Sequence, residues 1–164
     1  MSKTLKIGEP IPDFAAPATS DLSFKLSNYK GSANLVLYFY PKDSTPGCTT
    51  EGKDFGDLYA EFQAHDTEIF GISKDSMKRH DNFKAKQAFP FELISDIDTD
   101  VCEQFGVWQL KKTFGKEYMG IVRSTFLIDK NGVLRQHWDK VKVKGHADEV
   151  LEAVRELSAA EKLS

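Results

Sequence analysis

A cysteine stands at the junction between a buried strand and a helix. The apolar run from Leu35 to Tyr40 has no polar alternation, which is typical of a central strand buried on both faces. Apolar residues at helical spacing begin shortly after Cys48. Loops at the carboxyl ends of such strands are where α/β folds place ligands, and a helix N-terminus favours a thiolate over a thiol. Cys48 is therefore a candidate nucleophile.

The neighbours of Cys48 distinguish it from a packed core cysteine. Free cysteines are among the most buried residues, so a structural thiol is the competing interpretation. The flanking residues are small, polar or turn-forming instead of core-like: Thr45, Pro46, Gly47, Thr49 and Thr50. These flanks favour a reactive thiol, because reactive cysteines occupy polar, partly accessible surroundings.

Other chemistry-bearing residues have no familiar spacing. The four histidines are scattered and form no HExxH motif, and the two cysteines lack the spacing of zinc ligands, so we expect no metal site. Two cysteines do not build a disulfide scaffold, and the N-terminus MSKTLKIGEP lacks the apolar core of a signal peptide. Both observations predict a cytoplasmic protein.

Length and composition predict a single domain over residues 1–164. The chain is 40% hydrophobic, contains no repeat or linker, and has no apolar run near the roughly 18 residues that span a membrane. Lys and Arg number 22 against 25 Asp and Glu, which leaves a net charge of −3. Since no basic surface follows from this balance, we expect no nucleic-acid partner and no membrane partner.

The elements that must position Cys48 alternate between strands and helices. After the helix that contains Phe55 and Phe62, the patterns predict a buried strand at 68–73, a polar helix at 76–88, a strand at 91–94, a short helix at 98–105, a hairpin of 124–128 and 133–138, and a last helix around Val150 to Leu157. This order indicates an α/β fold with a mixed sheet, compatible with either a thioredoxin-like or a flavodoxin-like arrangement.

Three further segments have weaker patterns. The turn-rich stretch 9–30 suits short strands or a hairpin. Lys111 and Lys112 are predicted to lie in a solvated loop, and Lys140 to Lys144 to form an exposed, basic strand end.

The loop around Cys48 resembles the active-site loop of the peroxiredoxins. Residues 39–51, FYPKDSTPGCTTE, contain the pattern P-x-x-x-T-x-x-C, and the form T-P-G-C-T-x-E resembles the bacterioferritin comigratory protein, or peroxiredoxin Q, subfamily. The resemblance continues through 101–108 and 123–129 and so covers nearly the whole chain. It implies a thioredoxin-like three-layer fold with a central mixed sheet flanked by helices, and a peroxidase that needs no cofactor.

The resemblance assigns roles to three side chains. Cys48 is expected to be the peroxidatic thiolate, which attacks a peroxide oxygen and becomes a sulfenic acid. Thr45 is expected to hold the peroxide through its hydroxyl, although it could merely cap the loop. Arg123 is expected to favour the thiolate and to stabilise negative charge on the leaving oxygen; its alternative is a surface charge at a strand end.

Three more residues support that site by the same resemblance. Pro41 is expected to form a rigid lid over the thiol, although it could simply end the strand. The backbone N–H groups of Gly47 and Cys48 are expected to donate to the oxyanion. Glu51 is expected to orient Arg123 or the loop, while its negative charge would equally suit a helix N-terminus.

The chain departs from the subfamily at its resolving cysteine. Many members carry that residue five positions after the peroxidatic cysteine, where this chain has Lys53. Cys102 shares a small apolar helix face with Val101 and Phe105, so we expect a packed core cysteine, with a resolving role as the alternative. A one-cysteine peroxidase follows, whose sulfenic acid waits for thioredoxin, glutaredoxin or a small thiol.

The expected substrates are hydrogen peroxide and organic hydroperoxides, and the expected oligomeric state is a monomer or weak dimer. Two other functions on the same fold remain open at this point. A thiol–disulfide oxidoreductase would need C-x-x-C, whereas Thr45 and Glu51 lie three residues on either side of Cys48. A redox sensor or chaperone-like module would use Cys48 only as a switch.

Overall fold

The computed structural model describes residues 5–163. In chain order its elements are β1 (Ala15–Pro17), β2 (Ser23–Lys25), a 3₁₀ helix (Leu26–Tyr29), β3 (Asn34–Phe39), α1 (Pro46–Ala64), β4 (Thr67–Ser73), α2 (Met77–Gln87), β5 (Glu92–Ser95), α3 (Val101–Gln104), β6 (Trp108–Thr113), β7 (Lys116–Ile121), β8 (Ser124–Ile128), β9 (Leu134–Trp138) and α4 (His146–Leu163). No helix within 5–163 is long and apolar enough to cross a bilayer.

Five strands form the central sheet, in the order β5-β4-β3-β8-β9. The pairs β3–β4 and β4–β5 are parallel, whereas β3–β8 and β8–β9 are antiparallel. The mixed sheet flanked by helices is therefore confirmed, and β3 is its central strand, as its unbroken apolar run predicts.

The side chains of β3 alternate between two separate cores. Leu35, Leu37 and Phe39 belong to the core that packs under β1, β2, the 3₁₀ helix and α3. Val36 and Tyr38 belong to the other core, which includes the buried residues of α1, α2 and α4. The three long helices thus share one face, and the short elements cover the opposite face.

Most of the predicted helices and strands occur where the spacing of apolar residues in the sequence indicates them. The β8–β9 hairpin turns at Asn131-Gly132, where Gly132 has a φ of +77°. The predicted helix at 98–105 is shorter, since α3 spans only Val101–Gln104. The Asp96 carboxylate accepts the backbone N–H groups of Val101 and Cys102, so the chain before α3 is a turn around that carboxylate.

The two lysine-rich predictions were wrong. Lys111 and Lys112 lie in β6, which pairs with β7 in an antiparallel hairpin of its own. Both strands of this hairpin are mostly exposed, so no alternation of apolar and polar residues is sustained along them in the sequence. Lys140 to Lys144 form an irregular loop after β9, not a strand end, and Val141 in that loop donates its N–H to the Arg123 carbonyl.

Gly52 allows α1 to pack closely against the loop after α2. A Cβ at this position would lie 2.8 Å from Cε1 of the buried Phe89 ring. We expect Gly52→Ala to lower the free energy of unfolding by about 1–3 kcal/mol through overpacking, measured by urea denaturation. Gly56→Ala is the matched control, because its Cβ would meet Pro90 at a milder 3.3 Å. Equal stability of Gly52→Ala and the wild type would contradict this tight contact.

Candidate active site

The register of the central sheet brings Arg123 to Cys48. Phe39 at the end of β3 pairs with Ser124 at the start of β8. The loop after β3 leads directly into α1, and Arg123 immediately precedes β8. Two segments that are distant in sequence therefore meet at one edge of the sheet.

The Arg123 guanidinium bridges the thiol and a carboxylate. Its Nη2 donates to Cys48 Sγ at 3.4 Å, and its Nη1 donates to Glu51 Oε1 at 2.6 Å. Cys48 is only 2% exposed, and the Arg123 side chain is 17% exposed. A cation at this distance in a shielded site attracts negative charge on the sulfur.

Arg123 stays positively charged at this position. Burial lowers the pKa of Arg123, but the charges of Glu51 and Cys48 outweigh burial and raise it overall. Gly47 makes room for this group, since a Cβ there would lie 3.2 Å from Arg123 Nη2. This use of Gly47 was not predicted from the sequence, because it depends on a residue far along the chain.

Glu51 is a buried carboxyl group with one free oxygen. It is 1% exposed, and within the described chain its Oε2 has no hydrogen-bond partner. Burial raises the pKa of Glu51 to about 7, against the opposing attraction of Arg123. The ion pair with Arg123 favours the orienting role over a simple helix N-terminal charge.

The raised pKa of Glu51 predicts a pH dependence of stability. Between pH 4.5, its ordinary pKa, and about pH 7, the folded state keeps a proton that the unfolded chain releases. The contribution of Glu51 to the free energy of unfolding must therefore fall as the pH rises from 4.5 to about 7. We expect the free energy of unfolding of the wild type to decline relative to Glu51→Gln across this range, in urea titrations at several pH values. Parallel profiles for the two proteins would contradict the raised pKa.

Thr45 precedes the first turn of α1 in extended conformation. Its hydroxyl donates to the Lys42 carbonyl at 2.8 Å, which leaves the hydroxyl lone pairs for a hydrogen bond from a peroxide. Pro41 is exposed and follows the end of β3, so its lid role stays a prediction. The N–H groups of Gly47 and Cys48 precede the first helical hydrogen bond, from Thr49 to Thr45, and are thus available as donors.

Cys102 lies on the other side of the sheet. It is fully buried in the core with Leu35, Leu37 and Phe39, whereas Cys48 belongs to the core with Val36 and Tyr38. Burial, and secondarily the nearby Asp96 carboxylate, raise the pKa of the Cys102 thiol well above its usual range. The position fits the predicted core cysteine, and both thiols are free.

A buried polar cluster that includes Asp43 of the active-site loop was not predicted from the sequence. Asp43, Asp75 and His80 bring carboxylate and imidazole atoms together. His80 Nδ1 and Asp43 Oδ2 are 2.6 Å apart, closer than the roughly 3.3 Å between two ligands of one tetrahedral zinc ion, so they are hydrogen-bonded to each other. No local pattern could reveal this contact, because the residues lie on separate elements.

A shielded thiol at a helix start, contacted by an arginine that immediately precedes the adjoining strand of a thioredoxin-like sheet, is the arrangement of a thiol peroxidase. The chain belongs to the AhpC/TSA family, whose model matches residues 7–137. Peroxiredoxin Bcp of Bacillus subtilis is 51% identical over 94% of this chain and 98% of its own length. The Escherichia coli K12 peroxiredoxin Bcp is 40% identical over 93% and 97%.

Solved structures agree with this assignment. The Xanthomonas campestris bacterioferritin comigratory protein, described for alkyl peroxide reduction, superposes with a TM-score of 0.86 at 46% identity, covering 94% of this chain and 98% of that one. A Xylella fastidiosa PrxQ superposes with a TM-score of 0.89 at 38% identity, covering 96% and 99%. The predicted resemblance to peroxiredoxins of this subfamily is confirmed, and the chain is a peroxiredoxin.

Proposed function

We propose that this peroxiredoxin reduces hydrogen peroxide and organic hydroperoxides with Cys48 as its only catalytic cysteine. The observation that carries the proposal is the separation of the two thiols. Cys48 and Cys102 lie in different cores on opposite faces of the five-stranded sheet. An intramolecular disulfide would require one of the thiols to leave its core, because a disulfide brings the two sulfur atoms to about 2.05 Å.

The reaction begins with attack by the Cys48 thiolate on one peroxide oxygen. The S–O bond forms as the O–O bond breaks, Cys48 is oxidised to a sulfenic acid, and the departing oxygen takes a proton to leave as water or an alcohol. Arg123 stabilises the negative charge that develops on that oxygen, and Thr45 accepts a hydrogen bond from the peroxide. Glu51 holds Arg123 in place by accepting the 2.6 Å hydrogen bond from Nη1.

An external thiol completes the cycle. It attacks the sulfenic sulfur, releases water and forms a mixed disulfide with Cys48; a second thiol then displaces Cys48 and leaves as part of a disulfide. Lys53 is exposed at the position where a resolving cysteine is common in the subfamily, so that helix supplies no partner thiol. Thioredoxin, glutaredoxin or a small thiol is the reductant. Two free cysteines also suit the reducing cytoplasm.

Peroxide consumption by the purified protein tests this function. We expect many turnovers per Cys48 with dithiothreitol or a thioredoxin system, and a single turnover without a thiol. Oxidation of Cys48 without turnover in any thiol would instead identify a redox sensor. Turnover of disulfide substrates in the absence of peroxide would identify a thiol–disulfide oxidoreductase.

A further inference from the structure

The Asp43–His80 pair connects the active-site loop to two distant elements. Both side chains are buried, Asp43 at 2% and His80 at 0% exposure. His80 on α2 places Nε2 2.9 Å from the Ile94 carbonyl of β5 and Nδ1 2.6 Å from Asp43 Oδ2. The other carboxylate oxygen of Asp43 accepts the Tyr40 hydroxyl at 2.6 Å. The loop after β3 is thus fastened to α2 and β5 at a single residue.

The hydrogen-bond partners define how the pair is protonated. A carbonyl oxygen only accepts, so Nε2 of His80 carries a hydrogen toward Ile94. A second hydrogen lies between Nδ1 and the Asp43 carboxylate, because neither atom could otherwise approach the other so closely. A buried polar pair of this kind contributes little net stability over apolar residues, which points to a role in holding one specific conformation.

Asp43 fixes the peptide group between Lys42 and Asp43, whose carbonyl oxygen accepts the Thr45 hydroxyl. The Asp43 N–H donates to Asp75 Oδ2 at 2.9 Å. The residue before it, Lys42, supplies the carbonyl that accepts the Thr45 hydroxyl. The residue after it, Ser44, has a φ of +62°, a conformation that a non-glycine residue adopts only when its surroundings hold it there. Anchoring at Asp43 therefore fixes both sides of the loop that ends at Thr45.

We propose that Asp43 and His80 are positioning residues for peroxide reduction, which fix the Lys42 carbonyl and so aim the Thr45 hydroxyl at the peroxide on Cys48. This inference rests on the proposed function, and it gives the buried pair a role in the rate of reaction as well as in folding. A displacement of a reacting group by about 1 Å can cost 10²-fold in rate, so loosening this loop must slow the reaction with peroxide.

Two substitutions of His80 separate positioning from stability. In His80→Asn the side-chain amide occupies the place of Nδ1 and still donates to Asp43. In His80→Gln the amide reaches the place of Nε2, donates to Ile94 and leaves Asp43 Oδ2 without its imidazole partner. Both remove one buried hydrogen bond, and both should lower the free energy of unfolding. We expect His80→Gln to reduce the rate of Cys48 oxidation by peroxide about 10- to 100-fold, and His80→Asn to stay within about threefold of wild type.

Two further readouts complete the comparison. Alkylation of Cys48 by iodoacetamide does not use Thr45, so its rate should be nearly unchanged in His80→Gln. Hydrogen exchange of the amides of residues 42–49 should accelerate in His80→Gln and not in His80→Asn. Equal peroxide rates for the two variants, or rates that simply follow their stabilities, would overturn the inference. If the wild type itself does not react with peroxide, the proposed function fails, while the exchange data still decide whether the pair fixes the loop.

Discussion

Cys48→Ser is expected to abolish peroxide reduction, whereas Cys102→Ser retains most of it. A serine hydroxyl at position 48 cannot become the nucleophile, because the thiolate is the species that attacks the peroxide and that the Arg123 guanidinium stabilises at 3.4 Å. Cys102 lies in the core on the opposite face of the sheet from Cys48. The activity of both variants is measured as the initial rate of peroxide consumption with excess dithiothreitol.

The control for this comparison is protein stability. Serine at the fully buried position 102 replaces a thiol that lies beside the Asp96 carboxylate and alters the packing of the core, so Cys102→Ser should be assayed well below its melting temperature. Full activity in Cys48→Ser would reject the enzymatic role of Cys48. Loss of activity in a folded Cys102→Ser would show that the second thiol takes part in the reaction.

Arg123→Ala should lower the rate of Cys48 oxidation by about 10²–10³-fold, as expected for a lost donor to developing negative charge. Stopped-flow kinetics with peroxide give this rate. An unchanged rate would return Arg123 to a surface charge without a catalytic role.

The matched background for Arg123→Ala is Glu51→Gln. Alanine at position 123 leaves the Glu51 carboxyl buried without its partner, which would destabilise the protein. A loss of rate could then not be separated from a loss of stability. Glutamine at position 51 removes that charge and keeps an oxygen that accepts from Arg123. We therefore expect the large loss of rate on removing Arg123 to persist in the Glu51→Gln background, with a smaller loss of stability.

The sequence predicts features whose physical causes are local. The unbroken apolar run of β3 indicates a central strand, and the Asn131-Gly132 turn indicates the β8–β9 hairpin. The loop around Cys48 is recognisable because its turn residues, thiol and helix start are adjacent in the chain. The proximity of Arg123 to this loop follows from the resemblance alone, since no local rule reports that β3 and β8 are neighbours.

The features that the sequence does not predict depend on long-range packing. The contact between Asp43 and His80 joins residues 37 positions apart, and each looks like an ordinary polar residue in its own segment. The separation of Cys48 from Cys102 is a property of the sheet, whose two faces cannot be assigned before the strand order is known. The β6–β7 hairpin was missed because its strands are mostly exposed, and its turn uses Phe114 at a φ of +52°, a residue that seldom adopts this conformation.

Mass spectrometry after one equivalent of peroxide tests the central claim most directly. The claim is that Cys48 alone undergoes oxidation and that Cys102 does not resolve it. We expect a sulfenic acid on Cys48, trapped by dimedone, which proceeds to sulfinic acid with excess oxidant while Cys102 stays reduced. A dominant intramolecular disulfide between the two cysteines, about two mass units lighter than the dithiol, would contradict the one-cysteine cycle.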